Sequence, residues 1–239
     1  MTDNLTRVWV YLAADPLLAL TLTLVTYLGG SWLHRRSGNN PLVNPVLIAL
    51  LVVVGLLIAT GTDYATYFEG AQFVHFLLGP ATVALAIPLY RQVQQVKRSL
   101  LAILVAVVGG SLTAAGSAVA IAWLLGASRG TLLSLAPKSA TTPVAMGIAE
   151  KIGGLPTLTA VVVILTGITG AMAATTVLKA LRITDQRAAG VAIGVAAHGI
   201  GTARALQLGE LAGAFSGLAM GLNAIATAVL IPLLFRLLW

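Results

Sequence analysis

The sequence contains no cysteine and very few charged residues. The absence of cysteine excludes disulfides, thiolate metal sites and haem or iron–sulfur ligation by thiolates. Charged residues make up 9% of the chain, whereas soluble domains typically carry roughly 25%. Long polar stretches are also absent, so no soluble domain fits between the apolar runs. We therefore expect an all-α, polytopic membrane protein, organised as a single transmembrane transport domain over residues 1–239.

Basic residues outnumber acidic residues by 14 to 7, but they occur one to three at a time between apolar runs. This distribution is typical of topology signals and not of a nucleic-acid-binding surface. Three scattered histidines do not form a metal site. No Ser/His/Asp arrangement, phosphate loop or paired-carboxylate site stands out. We expect no nucleic-acid partner, no cofactor and no enzymatic activity.

Apolar runs of the length that crosses a bilayer, roughly 17 to 25 residues, predict seven membrane spans. Lysine and arginine in the short loops predict that residues 34–40, 91–98 and 179–187 are cytoplasmic. The acidic loop 61–70 and the N-terminus are then outside. The predicted spans are Pro16–Leu33, Val43–Thr60, Ala71–Tyr90, Ser99–Leu125, Leu155–Leu178, Ala188–Leu208 and Leu211–Phe235.

This topology leaves one segment, residues 131–154, that must enter and leave the membrane on the same side. Prolines and a Gly-Gly pair interrupt the segment, so a re-entrant hairpin or broken helix is expected. Thr142 is predicted to cap a short helix that has Pro143 at its first position and ends at about Lys151. Irregular backbone at membrane depth is stable only when it is buried in protein or lines a wet cavity. The segment therefore predicts a cavity.

The stretch "PKSATTP" places Lys138, Ser139 and Thr141 in front of this predicted helix. A helix N-terminus offers free amides and a partial positive charge, which together favour anions. Lys138 adds a full positive charge, so the stretch predicts an anion site. The alternative is that the ammonium extends along its aliphatic stem to the membrane surface and only anchors the hairpin.

A second stretch, "AAHGIGTARAL", repeats this pattern of small residues, a hydroxyl and one cation. Gly199 and Gly201 give the backbone conformational freedom. Thr202 is predicted to cap a new helix, with Arg204 in its first turn. We expect this stretch to contribute to the same site, although Arg204 could instead be an interfacial anchor.

Two further polar residues lie near the middle of predicted spans. His198 could relay or sense protons, because its unperturbed pKa lies near neutrality, or it could be a buried histidine bonded to a carbonyl. Asn223 could bind substrate or form a helix–helix hydrogen bond. Both alternatives remain open at the level of the sequence.

Four stretches resemble the LrgB family of bacterial inner-membrane proteins, also called CidB or YohK-like. The resemblance extends in order over nearly the whole chain and is strongest from about Tyr67. It is carried by "YFEGAQFVHFLLGPATVALAIPLY", "SLAPKSATTPVAMGIAEKIGG", "LTAVVVILTGITGA" and "AHGIGTARALQLGELAGAFSGLAMGLNAIATAVLIPLL". The signature positions of the family correspond to Lys138, Ser139, Thr141, Thr142 and Pro143, and to His198, Gly199, Gly201, Thr202 and Arg204.

The resemblance implies a multi-pass protein of the bacterial inner membrane, often encoded beside a smaller LrgA/CidA-like membrane partner. The family was named antiholin-like for a proposed control of murein hydrolases and lysis. The plant plastidial glycolate/glycerate translocator is similar to a fusion of the two proteins, and some bacterial relatives are linked to pyruvate. A homodimer is compatible with the small-residue helix faces.

Two hypotheses follow. The first is a transporter for small monocarboxylates such as glycolate, glycerate or pyruvate. Its carboxylate would bind the helix ends at Thr142 and Thr202 and the cations Lys138 or Arg204, and its other oxygens would bind Ser139, Thr141 or Asn223. The second is an antiholin-like regulator of autolysis without transport. The first requires converging cations, and the second does not.

Overall fold

The computed structural model describes residues 16–238, apart from the side chains of Thr82 and Leu238. Within that range all regular structure is helical, so the expected all-α class is confirmed. The N-terminus, which the sequence predicts on the non-cytoplasmic side, is not among the described residues. The helices are α1 Pro16–Arg36, α2 Pro45–Thr60, α3 Tyr64–Ala84, α4 Ala86–Arg91, α5 Val93–Leu124, α6 Arg129–Leu135, α7 Thr142–Ile152, α8 Pro156–Ala180, α9 Gln186–Leu208 and α10 Glu210–Leu238.

Most of these helices are apolar enough for a membrane. Six helical stretches have the length and composition of a span, and α2, with 16 residues, is a shorter apolar helix. The six stretches are Pro16–Arg36, Tyr64–Arg91, Val93–Leu124, Pro156–Ala180, Gln186–Leu208 and Glu210–Leu237. The expectation of a polytopic membrane protein with about seven apolar helices is therefore confirmed.

The chain divides into two compact units, Met1–Ala84 and Leu85–Trp239. In the first unit, α1 and α2 form a hairpin in which the His34 ring is 2.8 Å from the Val43 carbonyl oxygen. Helix α3 packs on α1, where Thr23 and Tyr67 share a 2.7 Å hydrogen bond. The single transport domain proposed from the sequence stays a prediction.

The frame of the second unit consists of the long helices α5, α8 and α10. Helices α5 and α10 run parallel, because the numbers of neighbouring residues increase in the same direction along both helices. Val107 shares a buried cluster with Phe215, Ser111 lies 3.0 Å from Thr227, and Ala115 packs with Ile231. We call the end where α5 and α10 begin the basic end, and the opposite one the far end.

The segment predicted to be re-entrant is a helical hairpin, which we call hairpin 1 (residues 129–152). Its arms are α6 and α7, and they pack side by side through Leu133, Ile148 and Ile152. Its base lies at the far end, where the Arg129 guanidinium is 5.8 Å from the ring centre of Phe235. The re-entrant prediction is confirmed.

Helix α9 also folds back on itself, and we call it hairpin 2 (residues 186–208). At His198 the backbone adopts φ 39° and ψ −134°, which no α-helix accommodates. A Cβ placed on Gly201 would lie 2.9 Å from Ile193 Cγ2, and one on Gly209 would lie 3.0 Å from Gln186 Oε1. In a straight helix the last two residues would be separated by roughly 35 Å. Residues 186–197 and 199–208 are therefore antiparallel arms.

This fold-back differs from the predicted straight span Ala188–Leu208. Both ends of hairpin 2 lie at the basic end, where Glu210 forms a 3.3 Å ion pair with Arg91. Asp185 caps the first arm, and hydrogen bonds from Arg187 lower the pKa of its carboxyl to about 2. The two hairpins thus enter the second unit from opposite ends.

Candidate binding site at the hairpin tips

The tips of the two hairpins meet at one side chain in the middle of α10. Asn223 is 1% exposed, and its Nδ2 donates to the carbonyl oxygens of Ser139 at 3.0 Å and Val195 at 3.4 Å. Ser139 lies in the tip of hairpin 1 and Val195 in the last turn of the first arm of hairpin 2. One amide group therefore joins both tips, as the hydrogen-bond alternative for Asn223 expected.

The tip of hairpin 1 carries a cation with no acidic partner. Lys138 is half-buried, and its ammonium donates to Ser139 Oγ at 3.3 Å. Among residues 16–238 the ion pairs join Arg91 to Glu210 and Arg187 to Asp185, so none neutralises Lys138. A buried cation without a counter-charge is costly unless an anion approaches it.

Helix α7 begins one residue earlier than the sequence predicted. Its N-cap is Thr141, whose extended backbone (ψ 149°) and carbonyl start the helix by accepting from Ala145 N–H at 2.8 Å. Thr142 is therefore the first helical residue and Pro143 the second, so the prediction of Thr142 as the cap was wrong. Thr141 makes no side-chain capping hydrogen bond. The α7 N-terminus begins four residues after Lys138, and its own cap residue leaves its amides to other acceptors.

The tip of hairpin 2 is His198, a buried residue at 4% exposure. Its Nε2 lies 2.9 Å from the Val163 carbonyl oxygen on α8, which matches the alternative of a histidine bonded to a carbonyl. The ring fits because residue 167 is glycine: a Cβ there would lie 2.5 Å from His198 Cε1. Val163 also belongs to a buried cluster with Ala140 and Ala145 of hairpin 1. The structure thus brings the two predicted stretches together at Val163.

Thr202 does not cap a helix, because the reversal occurs at His198 and the second arm has already begun. Its hydroxyl donates to the His198 carbonyl oxygen at 2.9 Å, and it lies 3.0 Å from Ser216 Oγ on α10. The prediction of a Thr202 cap was wrong by one turn. Gly201 packs against the first arm, whereas Gly199 is exposed.

Arg204 lies farther down the second arm, toward the basic end. Its guanidinium donates to Gln207 Oε1 at 2.8 Å and to Thr175 Oγ1 at 3.2 Å. Its Nε is buried and has no hydrogen-bond partner among residues 16–238. The partners of Arg204 are thus Gln207 and Thr175, whereas the ammonium of Lys138 donates to Ser139. The predicted convergence of these two cations on one cavity stays a prediction.

A groove of about 670 Å³ runs from the basic end toward the tip of hairpin 2, between α5, α9 and α10. Asp185 and Arg187 lie at one extremity and Ala196 belongs to its lining, which is otherwise mostly small and apolar. Lys138 and His198 are not part of the lining. Over the described residues, no group of three His, Asp or Glu side chains is positioned to hold a metal.

Several contributors to this site gave no signal in the sequence. Val163 acts through its carbonyl oxygen, and Thr175 is one of many threonines in apolar helices. Gly167 stands in a run of small residues typical of close helix packing. Only the three-dimensional contact with His198 distinguishes Gly167 from its neighbours.

Comparison with known proteins assigns the chain to a family. The sequence model of the LrgB-like family matches residues 23–237. The chain belongs to the LrgB-like family. An uncharacterised relative of this family, YwbG of Bacillus subtilis (strain 168), is 38% identical over 91% of this chain and 96% of its own length.

Two relatives have names that refer to lysis. Holin-like protein CidB of Staphylococcus epidermidis is 33% identical, covering 92% of this chain and 96% of the relative. Antiholin-like protein LrgB of Bacillus cereus is 31% identical, covering 91% and 95%. No solved structure matches the chain. Together with the apolar helices, membership in the LrgB-like family identifies a multi-pass bacterial membrane protein.

Proposed function

We propose that the protein is a transporter, or transporter subunit, for small monocarboxylates such as glycolate, glycerate or pyruvate. The observation that carries this proposal is the meeting of two oppositely inserted hairpins at Asn223, with Lys138 and the α7 N-terminus beside it. Carriers with inverted repeats bind substrate where their broken helices meet, with half-helix N-termini directed at anionic groups.

The carboxylate would bind Lys138 Nζ and the amides at the start of α7. A half-buried ammonium without a carboxylate partner supports a site for an anion. Small-residue contacts at hairpin 2 support close packing of its arms against the helices around this site. Arg204 would attract the anion on its route through the protein, on the side nearer the basic end. We propose that the protein binds and moves the substrate without converting it, so the proposal includes no enzymatic step.

A second candidate function is regulation of autolysis without transport. The observation in its favour is that relatives are named holin-like and antiholin-like. Such names also support a membrane partner of the LrgA/CidA type, which we include in the proposal. A homodimer is a further element of the transport proposal, and small-residue helix faces are compatible with it.

Uptake of labelled glycolate, glycerate and pyruvate into proteoliposomes tests the proposal, with and without an LrgA-like partner and a pH gradient. We expect saturable uptake that falls at least tenfold in Lys138→Ala, because the anion loses its compensating charge. Lys151→Ala is the matched control, since Lys151 is an exposed lysine of the same hairpin, and it should retain uptake. Arg204→Ala should impair uptake with insertion unchanged.

Wild-type uptake by folded Lys138→Ala and Arg204→Ala would contradict the transport proposal. An absence of uptake in every condition, combined with altered autolysis in cells that carry Lys138→Ala, would favour the regulatory function.

A further inference from the structure

The Asn223 side chain uses only half of its hydrogen-bonding capacity. Its Nδ2 donates to two carbonyl oxygens, whereas its Oδ1 is buried and has no partner among the described residues. An amide oxygen can accept two hydrogen bonds, and a buried acceptor that makes none is a rare and costly feature. The unpaired Oδ1 therefore predicts that a hydrogen-bond donor binds there.

The orientation of this amide is fixed by its surroundings. If the group were rotated by half a turn, Oδ1 would face the carbonyl oxygens of Ser139 and Val195, and acceptor would oppose acceptor. Nδ2 must therefore face the hairpin tips. The unpartnered atom is the oxygen, and it cannot exchange roles with the nitrogen.

Donors and the acceptor occupy different parts of this site. Lys138 Nζ and the α7 N-terminus provide positive charge and N–H groups, and both Lys138 Nζ and Asn223 Nδ2 donate to Ser139. Asn223 Oδ1 provides the acceptor. A ligand that matches both carries an anionic group and, close to it, a hydrogen-bond donor. A 2-hydroxycarboxylate has this pattern, whereas a 2-oxocarboxylate offers only acceptors.

We infer that Asn223 is a specificity-determining residue whose Oδ1 accepts the hydroxyl of a 2-hydroxycarboxylate and disfavours 2-oxo acids. This inference rests on the proposed transport function. Because Asn223 is 1% exposed, the structure around it must open before the ligand reaches Oδ1. A site with an acceptor for a hydroxyl rejects analogues that lack the hydroxyl, because the acceptor is then buried unpaired.

Competition among three matched acids tests this inference on wild-type protein. Lactate in both enantiomers, pyruvate and propionate share three carbons and differ only at the second. We expect one lactate enantiomer to compete for carboxylate uptake with an affinity roughly tenfold or more above that of pyruvate and propionate. Equal or better competition by pyruvate, with uptake still dependent on Lys138, would overturn the inference and leave the transport function standing.

Asn223→Leu provides the second arm of the test. The measured quantity is the ratio of the affinities for lactate and pyruvate, because a general loss of protein function affects both acids equally. The lactate-to-pyruvate preference should fall to within about twofold, and a preserved preference would overturn the inference. Thr227→Val is the matched control, since Thr227 is another buried polar residue of α10, and it should keep the wild-type preference. Uptake of none of the acids by folded wild-type protein would overturn the transport function and this inference with it.

Discussion

The two hairpins of the second unit have the same overall shape but are held by different physical means. Hairpin 1 is anchored by hydrogen bonds: Ser134 Oγ accepts from Leu155 N–H at 2.8 Å, and Thr159 donates to the Ser134 carbonyl oxygen at 3.1 Å. Hairpin 2 is anchored by close backbone contact, since a Cβ on Gly194 would meet the Ser216 carbonyl oxygen. A polar anchor tolerates small displacements, whereas glycine packing does not.

The comparison of the two hairpins depends on the fold-back of hairpin 2. A crosslinking test of this fold-back has the largest expected effect. Because the chain has no cysteine, thiols can be introduced in pairs. Gln186→Cys with Glu210→Cys should be joined by a bismaleimide that spans about 10 Å, because both residues flank the base of hairpin 2. In a straight helix they would lie roughly 36 Å apart.

Gln186→Cys with Gly199→Cys is the control pair, because Gly199 lies at the tip, about 20 Å from the base. Intact mass spectrometry distinguishes one bridging linker from two separate additions. Two separate additions in the first pair would show that α9 does not fold back.

Glycine packing in hairpin 2 should be the most sensitive to substitution. Gly194→Ala places a methyl group against backbone of α10, which cannot move aside as a side chain could, so we expect destabilisation by about 3 kcal/mol. Gly199→Ala is the control within the same hairpin, because its nearest neighbour would be Met220 Sδ at 3.8 Å. Thermal unfolding in detergent measures both, and equal midpoints would refute close packing at Gly194.

The polar anchor of hairpin 1 should give the smallest of the three effects. Ser134→Ala removes the acceptor of a buried backbone N–H and should cost about 1–2 kcal/mol. Ser117→Ala, at an exposed serine bonded to its own helix, should be nearly neutral. The same unfolding assay applies, and an unchanged midpoint for Ser134→Ala would mean that apolar contacts hold hairpin 1 without this hydrogen bond.

The sequence predicted hairpin 1 better than hairpin 2, and the reason is local chemistry. Prolines and the Gly153-Gly154 pair disfavour a straight helix, so a break in residues 131–154 was predictable. The N-cap was misplaced by one residue, because Thr141 and Thr142 are equally good capping types and only the bond from Ala145 to Thr141 decides between them.

Hairpin 2 was predicted as a weakened span and not as a reversal. Its stretch "AAHGIGTAR" contains no proline, and the residue that reverses the chain is a histidine with positive φ, which is uncommon for any residue other than glycine. The reversal depends on contacts with α8 at Gly167 and with α10 at Ser216, which lie far away in sequence. The residue types of the site were predictable, but Asn223 as the link between the tips was not.

The connections that follow the two hairpins have different lengths. One residue, Gly209, separates hairpin 2 from α10, whereas residues 153–155 separate hairpin 1 from α8. Gly153 has φ 85°, a left-handed conformation that glycine adopts without steric cost. Hairpin 1 is therefore joined to α8 by the longer connection, which turns at Gly153, whereas hairpin 2 continues almost directly into α10. Under the proposed transport function, we therefore expect the larger movement in hairpin 1 and not in hairpin 2.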